Sequence, residues 1–422
     1  MGLLRTSILV VLSCAVMSVQ AANWNTGSKS QTDSLPRLSD TNQNLPINFM
    51  IPDDVLSDFK KGSDTDRKTF CSSKSKSYVT GISAVASGLI PAPQKIIGFN
   101  SRMDNYQRID HAQEVDEFLN DFVTITTEAW VNDDEEKKSL ALDALFYWAS
   151  NRALLGTKTC AKNGRLDQGC TEWKRKDGKD ISDTKDNAFV QMVVMKLAYN
   201  YYFSLASFRP SDPKHHAIKK WFSNFFDRNK SPRDVYFGMD MGWYWPAIFV
   251  KAHNNEDPSK LISRLLVKLD KLVLDDGALD ARTTRGNRAL WYHHTAMLEV
   301  LVSLEIARKF KIKLPQSLDS RVEKAGQIFI RGYKDHSYMD RWAKKAHNAI
   351  YEPGKQDFSR QPLNFIKANN AWFYIFSYRY PDSQLTVELD QIIRSKGNEA
   401  ISDPFIGFGL GCVYAVAKNG AP

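Results

Sequence analysis

Between Asp280 and His294 the sequence reads Asp-Ala-Arg-Thr-Thr-Arg-Gly-Asn-Arg-Ala-Leu-Trp-Tyr-His-His. Arg285, Arg288 and Tyr292 stand three, four and seven positions apart. On a helix that begins near Asn287, with its first turn in line with the preceding loop, those steps return to one face. A phenol would then lie beside two guanidinium groups. Cationic neighbours favour phenolate over phenol and lower a tyrosine pKa from its usual value of about 10. A tyrosine tuned in this way can accept a proton and later return it. Arginine binds carboxylates in bidentate fashion, so Arg285 or Arg288 could neutralise a substrate carboxylate and make the proton α to it removable. The same pattern also fits Tyr292 in the core with the arginines in solvent.

Other chemistries have little to stand on. The sequence holds no HExxH, GxxxxGK[ST], GxSxG or EF-hand loop. Gly407-Phe408-Gly409-Leu410-Gly411 is glycine-rich, but no strand pattern precedes it, so it reads as close helix packing. His111 with Glu114, and His215 beside His216, lack a third ligand nearby and read as solvated helix faces. No cofactor and no metal is expected. A hydrolase would need two carboxylates across a cleft. Asp240 with Asp275 or Asp276 could be proposed, but nothing in their spacing singles them out.

The elements that must position Tyr292 and its arginines are helical. The chain has 422 residues, 43% hydrophobic, 25% charged and 12% aromatic, enough for one large core or two ordinary ones and unlike a disordered, collagenous or coiled-coil chain. Lys plus Arg is 57 against 48 for Asp plus Glu, and this +9 is spread along the chain, which favours an anionic partner. Met1 to Arg5 carries one positive charge, Thr6 to Met17 is apolar, and Val19-Gln20-Ala21 offers a small-residue cleavage site. This is the pattern of a secretory signal peptide over 1–21, and a periplasmic or secreted location is expected. No later window reaches about 18 apolar residues without charges, so no membrane insertion is expected. Residues 22–45 read as a flexible polar arm, and the stretch to about 110 as irregular, punctuated by Pro46, Pro52, Pro91 and Pro93.

From there to the end apolar residues recur at helical spacing, in about ten segments with hardly any period-two alternation. The expected fold is all-α, a single domain over 46–422 in which paired helices close into an α/α toroid. A groove at one end of such a ring suits a long polymer, and an acidic sugar chain is the obvious occupant, not a nucleic acid. Cys14 leaves with the leader. Four cysteines then remain in an exported chain and suggest two disulfides, most simply Cys160 with Cys170 and Cys71 with Cys412.

Arg288-Ala289-Leu290-Trp291-Tyr292-His293, with Arg285 ahead of it, resembles the Arg-Ala-Leu-x-Tyr-His segment of the alginate lyase family, which includes poly(β-D-mannuronate) lyase. Phe99-Asn100-Ser101-Arg102, Trp148 to Leu155, Asn370-Ala371-Trp372 and Asp403-Pro404-Phe405 carry weaker similarity, so the resemblance covers roughly residues 99 to 412. It implies an (α/α) toroid, incomplete as a barrel, and a β-elimination on a polyuronate such as mannuronan or glucuronan, without a metal. Arg285 would neutralise the uronate carboxylate, and Tyr292 would take the C5 proton and protonate the glycosidic O4.

The family's Asn-Asn-His-Ser-Tyr-Trp segment is met here by Asp240-Met241-Gly242-Trp243-Tyr244-Trp245, in which Tyr244 and Trp245 fit while Met241 and Gly242 stand at the Asn and His positions. His293, Arg288 and Asn151 are the candidates to replace that pair. Trp243, Tyr244, Trp245, Trp148 and Trp372 are candidates to line the groove, with packing between helices as the alternative for the tryptophans. Arg102, Tyr106 and Arg108 could meet carboxylates at its entrance. A non-catalytic polyuronate-binding protein and an α/α-toroid glycoside hydrolase stand as alternatives to the lyase.

Overall fold

The structure is a computed structural model that describes residues 51–72, 77–95, 112–157, 161–162, 165–166, 184–228, 240–253, 256–312, 314–345, 356, 370–395 and 409–421. All of them fall in one compact unit, Pro36–Pro422. The expected leader and polar arm, Arg102, Tyr106, Arg108, His111, Cys160 and Cys170 lie outside the described residues, as does the side chain of Trp243.

Three short helices come first: α1 Asp53–Lys61, α2 Asp64–Cys71 and α3 Ser77–Ala86. Helix pairs follow: α4 Ala112–Val131 with α5 Glu135–Ser150, α6 Thr184–Asn200 with α7 Lys214–Arg228, and α8 Asp240–His253 with α9 Ser259–Leu272. Next come α10 Ala289–Lys309 with α11 Gln316–Lys334, the single-turn α12 Asp340–Ala343, α13 Ala371–Arg379 with α14 Gln384–Ser395, and α15 Gly409–Gly420. The only described strands are two residues each, β1 Ala161–Lys162 and β2 Arg165–Leu166, paired antiparallel.

The short helices over 53–86 differ from the irregular stretch expected there. Their punctuation is capping, not breaking. Pro52 precedes an acidic first turn in α1, and Ser63 Oγ accepts from Asp66 N at 3.1 Å to start α2.

Sequence pattern sorts the remaining helices into two shells. In α9 the buried residues are Ile262, Leu265, Leu266 and Leu269, a single stripe at three-to-four spacing, as a helix with one wet face requires. In α10, 18 of the 21 residues are buried, and in α13 seven of nine, so these helices are covered on all sides. The inner shell runs α4, α6, α8, α10, α13, α15, each packed on the next, and α15 meets α4 to close the ring. At that seam a Cβ on Gly409 would stand 2.9 Å from Thr127 Oγ1 and 3.3 Å from the Phe203 ring, so the glycine permits the close approach. This is the helix-packing role read for the glycine-rich segment.

The inner helices run parallel. Trp372 meets His294 near the start of α10 and Arg379 meets Glu305 near its end. Outer helices run back, with Gly332 of α11 against Leu290 and Asp319 against Arg308. The all-α toroid expected from the sequence is therefore the fold.

At the end where inner helices finish, a buried ionic cluster seals the ring. Glu305, 1% exposed, accepts from Arg379 Nε at 2.8 Å and Nη2 at 2.5 Å, from Arg308 Nη1 at 2.5 Å, and from the Tyr414 hydroxyl. Arg379 also reaches Asp54 of α1, and Tyr380 donates to Asp319 at 3.0 Å. The carboxylates on either side hold the Arg379 guanidinium firmly protonated against its burial. Cys71 and Cys412 form a disulfide that ties α2 to α15 across 341 positions of sequence.

Candidate active site

The opposite end of α10 carries the Arg-Tyr segment. After α9 the chain makes a narrow loop closed by the Val273–Leu279 bridge. Gly277 there has φ +86°, and an added Cβ would lie 2.5 Å from the Lys324 backbone, so the loop sits directly on α11. A turn then leads through Arg285 into a 3-10 turn, Gly286–Arg288, and α10 starts at Ala289. The helix thus begins two residues later than expected.

Within this turn Arg285 Nε donates to Ala281 O at 2.8 Å, and the guanidinium carbon stands 4.3 Å from the centroid of the Tyr292 ring. The cation lies over the ring face, a cation–π contact. Tyr292 is 4% exposed, with Trp291 set edge-on to it at 4.7 Å. Arg288 is buried as well, so the arrangement with arginines in solvent does not describe it. Sequence reasoning missed Arg282 and Glu299, whose Nη2 and Oε2 lie 3.6 Å apart in the interior. Glu299 follows Tyr292 by seven positions, which places it on the same face two turns deeper. An acid in the middle of an otherwise apolar helical run was the signal available.

His293 does not face a substrate. It is fully buried, its Nδ1 is 2.8 Å from Thr283 Oγ1, and its Nε2 is 2.8 Å from Ala325 O. A carbonyl only accepts, so Nε2 donates and Nδ1 accepts from the Thr283 hydroxyl, which in turn accepts from Leu279 N at 2.7 Å. Burial pushes the imidazole down to about 4, the hydrogen bond to Ala325 opposing this only in part. With both nitrogens occupied and the ring neutral, His293 joins the Arg285 turn, α10 and α11. This corrects the catalytic role expected for it. Gln356, a residue sequence reasoning also missed, clamps the same turn: its Oε1 accepts from Leu290 N at 2.9 Å and its Nε2 donates to Gly286 O at 3.2 Å.

Most of the aromatic candidates are packing residues. Trp148 stacks on Phe118 with centroids 4.1 Å apart, Trp245 is fully buried and donates to Ser303 Oγ at 3.2 Å, and Tyr244 is buried in the same core. Trp372, fully buried, donates Nε1 to His294 Nδ1 at 3.0 Å and meets Phe329 edge-on. All four are buried against other core side chains, Trp148 on the outer helix α5 and the other three on inner helices. Asn151 is exposed at the C-terminus of α5, its Nδ2 donating to Tyr147 O at 2.8 Å. His215 is likewise structural, held between the Tyr201 hydroxyl at 2.7 Å and Phe208 O at 2.8 Å. Among the described residues no group of three or more His, Cys, Asp or Glu side chains could hold a metal ion.

A closed ring of parallel inner helices backed by antiparallel outer ones defines an (α/α) toroid. Solved structures of alginate lyase A1-III share it. The enzyme from Sphingomonas species A1 superposes with a TM-score of 0.57 at 13% identity, over 85% of this chain and 93% of that one. A tyrosine-to-phenylalanine variant complexed with a tetrasaccharide gives 0.56 at 13% identity, over 84% and 91%. A histidine-to-alanine variant, also complexed with a tetrasaccharide, gives 0.54 at 14% identity, over 85% and 92%. No family model and no curated protein matches the sequence. At this identity the likeness is one of fold.

Proposed function

We propose that the protein is a polysaccharide lyase that cleaves an anionic polyuronate, mannuronan or glucuronan, by syn β-elimination at Tyr292. The observation that carries this reading is the Arg285 guanidinium held 4.3 Å from the Tyr292 ring at the start of an inner helix. The toroid around it is shared with alginate lyase structures, one of them a tyrosine-to-phenylalanine variant holding a tetrasaccharide.

In the reaction Arg285 opposes the uronate carboxylate, which makes the C5 hydrogen acidic. Tyr292, as phenolate, takes that proton. The electron pair left on C5 forms the C4=C5 double bond, the C4–O4 bond breaks, and the proton passes from Tyr292 to O4. One residue serves both steps because H5 and O4 lie on the same side of the C4–C5 bond in D-mannuronate and D-glucuronate. Arg288 is proposed to add positive charge at the same turn, and Asn151, Arg102 and Tyr106 to contact the sugar chain outside it. His293 positions the turn. A hydrolase pairing Asp240 with Asp276 finds no support, since Asp276 Oδ2 accepts from Trp342 Nε1 at 3.0 Å and Oδ1 from Ala278 N at 2.9 Å.

The leader pattern supports a periplasmic or secreted site of action, and no described helix is long and apolar enough to cross a membrane. Incubation with mannuronan, glucuronan and guluronan tests the reading. New ultraviolet absorbance from the C4=C5 product is the expected result. Reducing ends without it would mean a hydrolase, and retention without cleavage a binding protein.

A further inference from the structure

A charged surface lies beside the Arg285 turn and is not used by the chemistry at Tyr292. After α11 the chain folds back through a 3-10 turn, His336–Met339, into α12, which packs against Gly286–Arg288. This fold-back is held firmly. Trp342 is buried and bonded to Asp276, and Gly332 admits Met339 and Leu290, whose atoms lie within 3.0 Å of where a Cβ would stand. The rigid base turns Arg331, Arg341, Lys344 and Lys345 outward, all exposed, around a half-buried Tyr338.

The Arg341 guanidinium carbon is 4.7 Å from the Tyr338 ring centroid and 5.0 Å from that of Trp342. Arg331 stands 5.6 Å from the Tyr338 ring centroid, with Nη1 donating to the hydroxyl at 3.5 Å. A guanidinium stacked on a ring is pre-organised, and its N–H edge can still pair with a carboxylate. The acids within the segment offset part of the charge. Asp335 is engaged as the cap of the 3-10 turn, accepting from Ser337 N at 2.9 Å and Oγ at 2.7 Å, and Asp340 lies 3.9 Å from Lys344. Between α11 and the start of α14 a groove of mixed charge is lined by Arg331 together with Glu323, Asp382 and Glu388, the last paired with Lys334 at 2.6 Å. Electrostatics therefore favour a polyanion on the face that carries Arg341, Lys344 and Lys345 over that groove, where carboxylates stand beside the cations.

We propose that Arg331, Tyr338, Arg341, Lys344 and Lys345 form a docking surface for the remote, unreacting stretch of an anionic polysaccharide. The proposal rests on the polyuronate reading of the site for the identity of the ligand, but it is a claim about binding and can be tested without turnover. The triple variant Arg341→Glu, Lys344→Glu, Lys345→Glu changes only exposed side chains, and an unaltered melting curve checks its fold. In electrophoresis through gels containing mannuronan or glucuronan, both the unaltered protein and Tyr292→Phe should be retarded, and the triple variant at least about tenfold less. The retardation should weaken with added salt. If the lyase reading also holds, kcat/KM on polymer relative to that on a tetrasaccharide falls about tenfold in the triple variant. Equal retardation of the triple variant and the unaltered protein would overturn the docking surface even if cleavage is intact. So would retardation of the unaltered protein by nucleic acid and by no polyuronate. Loss of retardation in the triple variant of a protein that cleaves nothing would uphold the surface and sink the lyase.

Discussion

A guanidinium stacked on a phenol fixes the ring and brings a positive charge to it in the same contact, which is why Tyr292 and Arg285 are the side chains to alter first. Tyr292→Phe removes one hydroxyl from a packed ring. It should leave the melting temperature nearly unchanged and lower kcat by about 10²–10⁴-fold in the ultraviolet assay, the usual worth of a general acid–base group. Arg285→Ala should cost about 10²–10³-fold by leaving the substrate carboxylate unopposed. Unchanged kinetics in that variant would assign neutralisation to another cation, with Arg288 the first to test.

His293 gives a pH signature of a different kind. Its imidazole, like that of His253, is pushed down to about 4, in both cases chiefly by burial. An unfolded histidine, near 6.5, binds a proton between about pH 6.5 and 4 where the folded one does not, so stability is full above that window and is lost as pH falls through it. Each such histidine contributes a slope of about 1.4 kcal/mol per pH unit. Melting temperatures measured from pH 7.5 to 4.5 should be level at first and then fall, and a level profile throughout would contradict the burial argument. The nearness of Arg285 and Tyr292 was expected from helical spacing, but Arg285 lies in the turn before the helix and reaches the ring from there. The histidine next to them was misread, since nothing local shows that Thr283 and the Ala325 carbonyl occupy its ring.

At the scale of elements, the first turn of α10 is held from outside the helix. Leu290 N is one of the amide groups that a helix start leaves without an internal partner, and Gln356 supplies the acceptor. Gln356→Ala should lower stability by about 1–2 kcal/mol in denaturant titration. It should also reduce kcat more than it changes KM, because the Arg285–Tyr292 contact would lose its anchor at Gly286. Gln356→Glu keeps an acceptor and loses the donor to Gly286 O, so it should fall between the two. A variant as active and as stable as the parent would mean that the turn holds itself. Gln356 could not have been found in the sequence, since it lies 66 positions from Leu290. The long helices after residue 112 could be read, but not the number: about ten were expected and fifteen are described, three of them in the stretch read as irregular. Which face of an inner helix looks into the cleft could not be read either, because a segment apolar on every side carries no stripe to orient it. That is why Trp245 and Trp372 stood as candidates for the groove with packing as the alternative, and the structure places both in the core.

For the whole molecule, the two ends of the ring differ in character. Thirteen residues of α10 separate Tyr292 from Glu305, about 20 Å along the axis. The Tyr292 end carries the charged turns, and the Glu305 end is closed by arginines, tyrosines and the N-terminal helix α1. The expectation of a ring was legible from helix pairing alone, but the covering of its Glu305 end by α1 was not, because residues 53–71 read as irregular. The cysteine count did foresee the tie at that place. Cys71→Ser should lower stability by about 2–4 kcal/mol, read as a shift in urea midpoint, with little effect on ultraviolet activity at low temperature. An equal midpoint would mean that the ionic cluster alone holds the seam.

The Cys71–Cys412 bond makes nearly all of the toroid one covalent circle. A peptide bond cut at any single point between those positions opens the circle without freeing a fragment, so a protein nicked once by a protease stays in one piece. On a denaturing gel such a nicked sample should run as one band until thiol is added and as two afterwards.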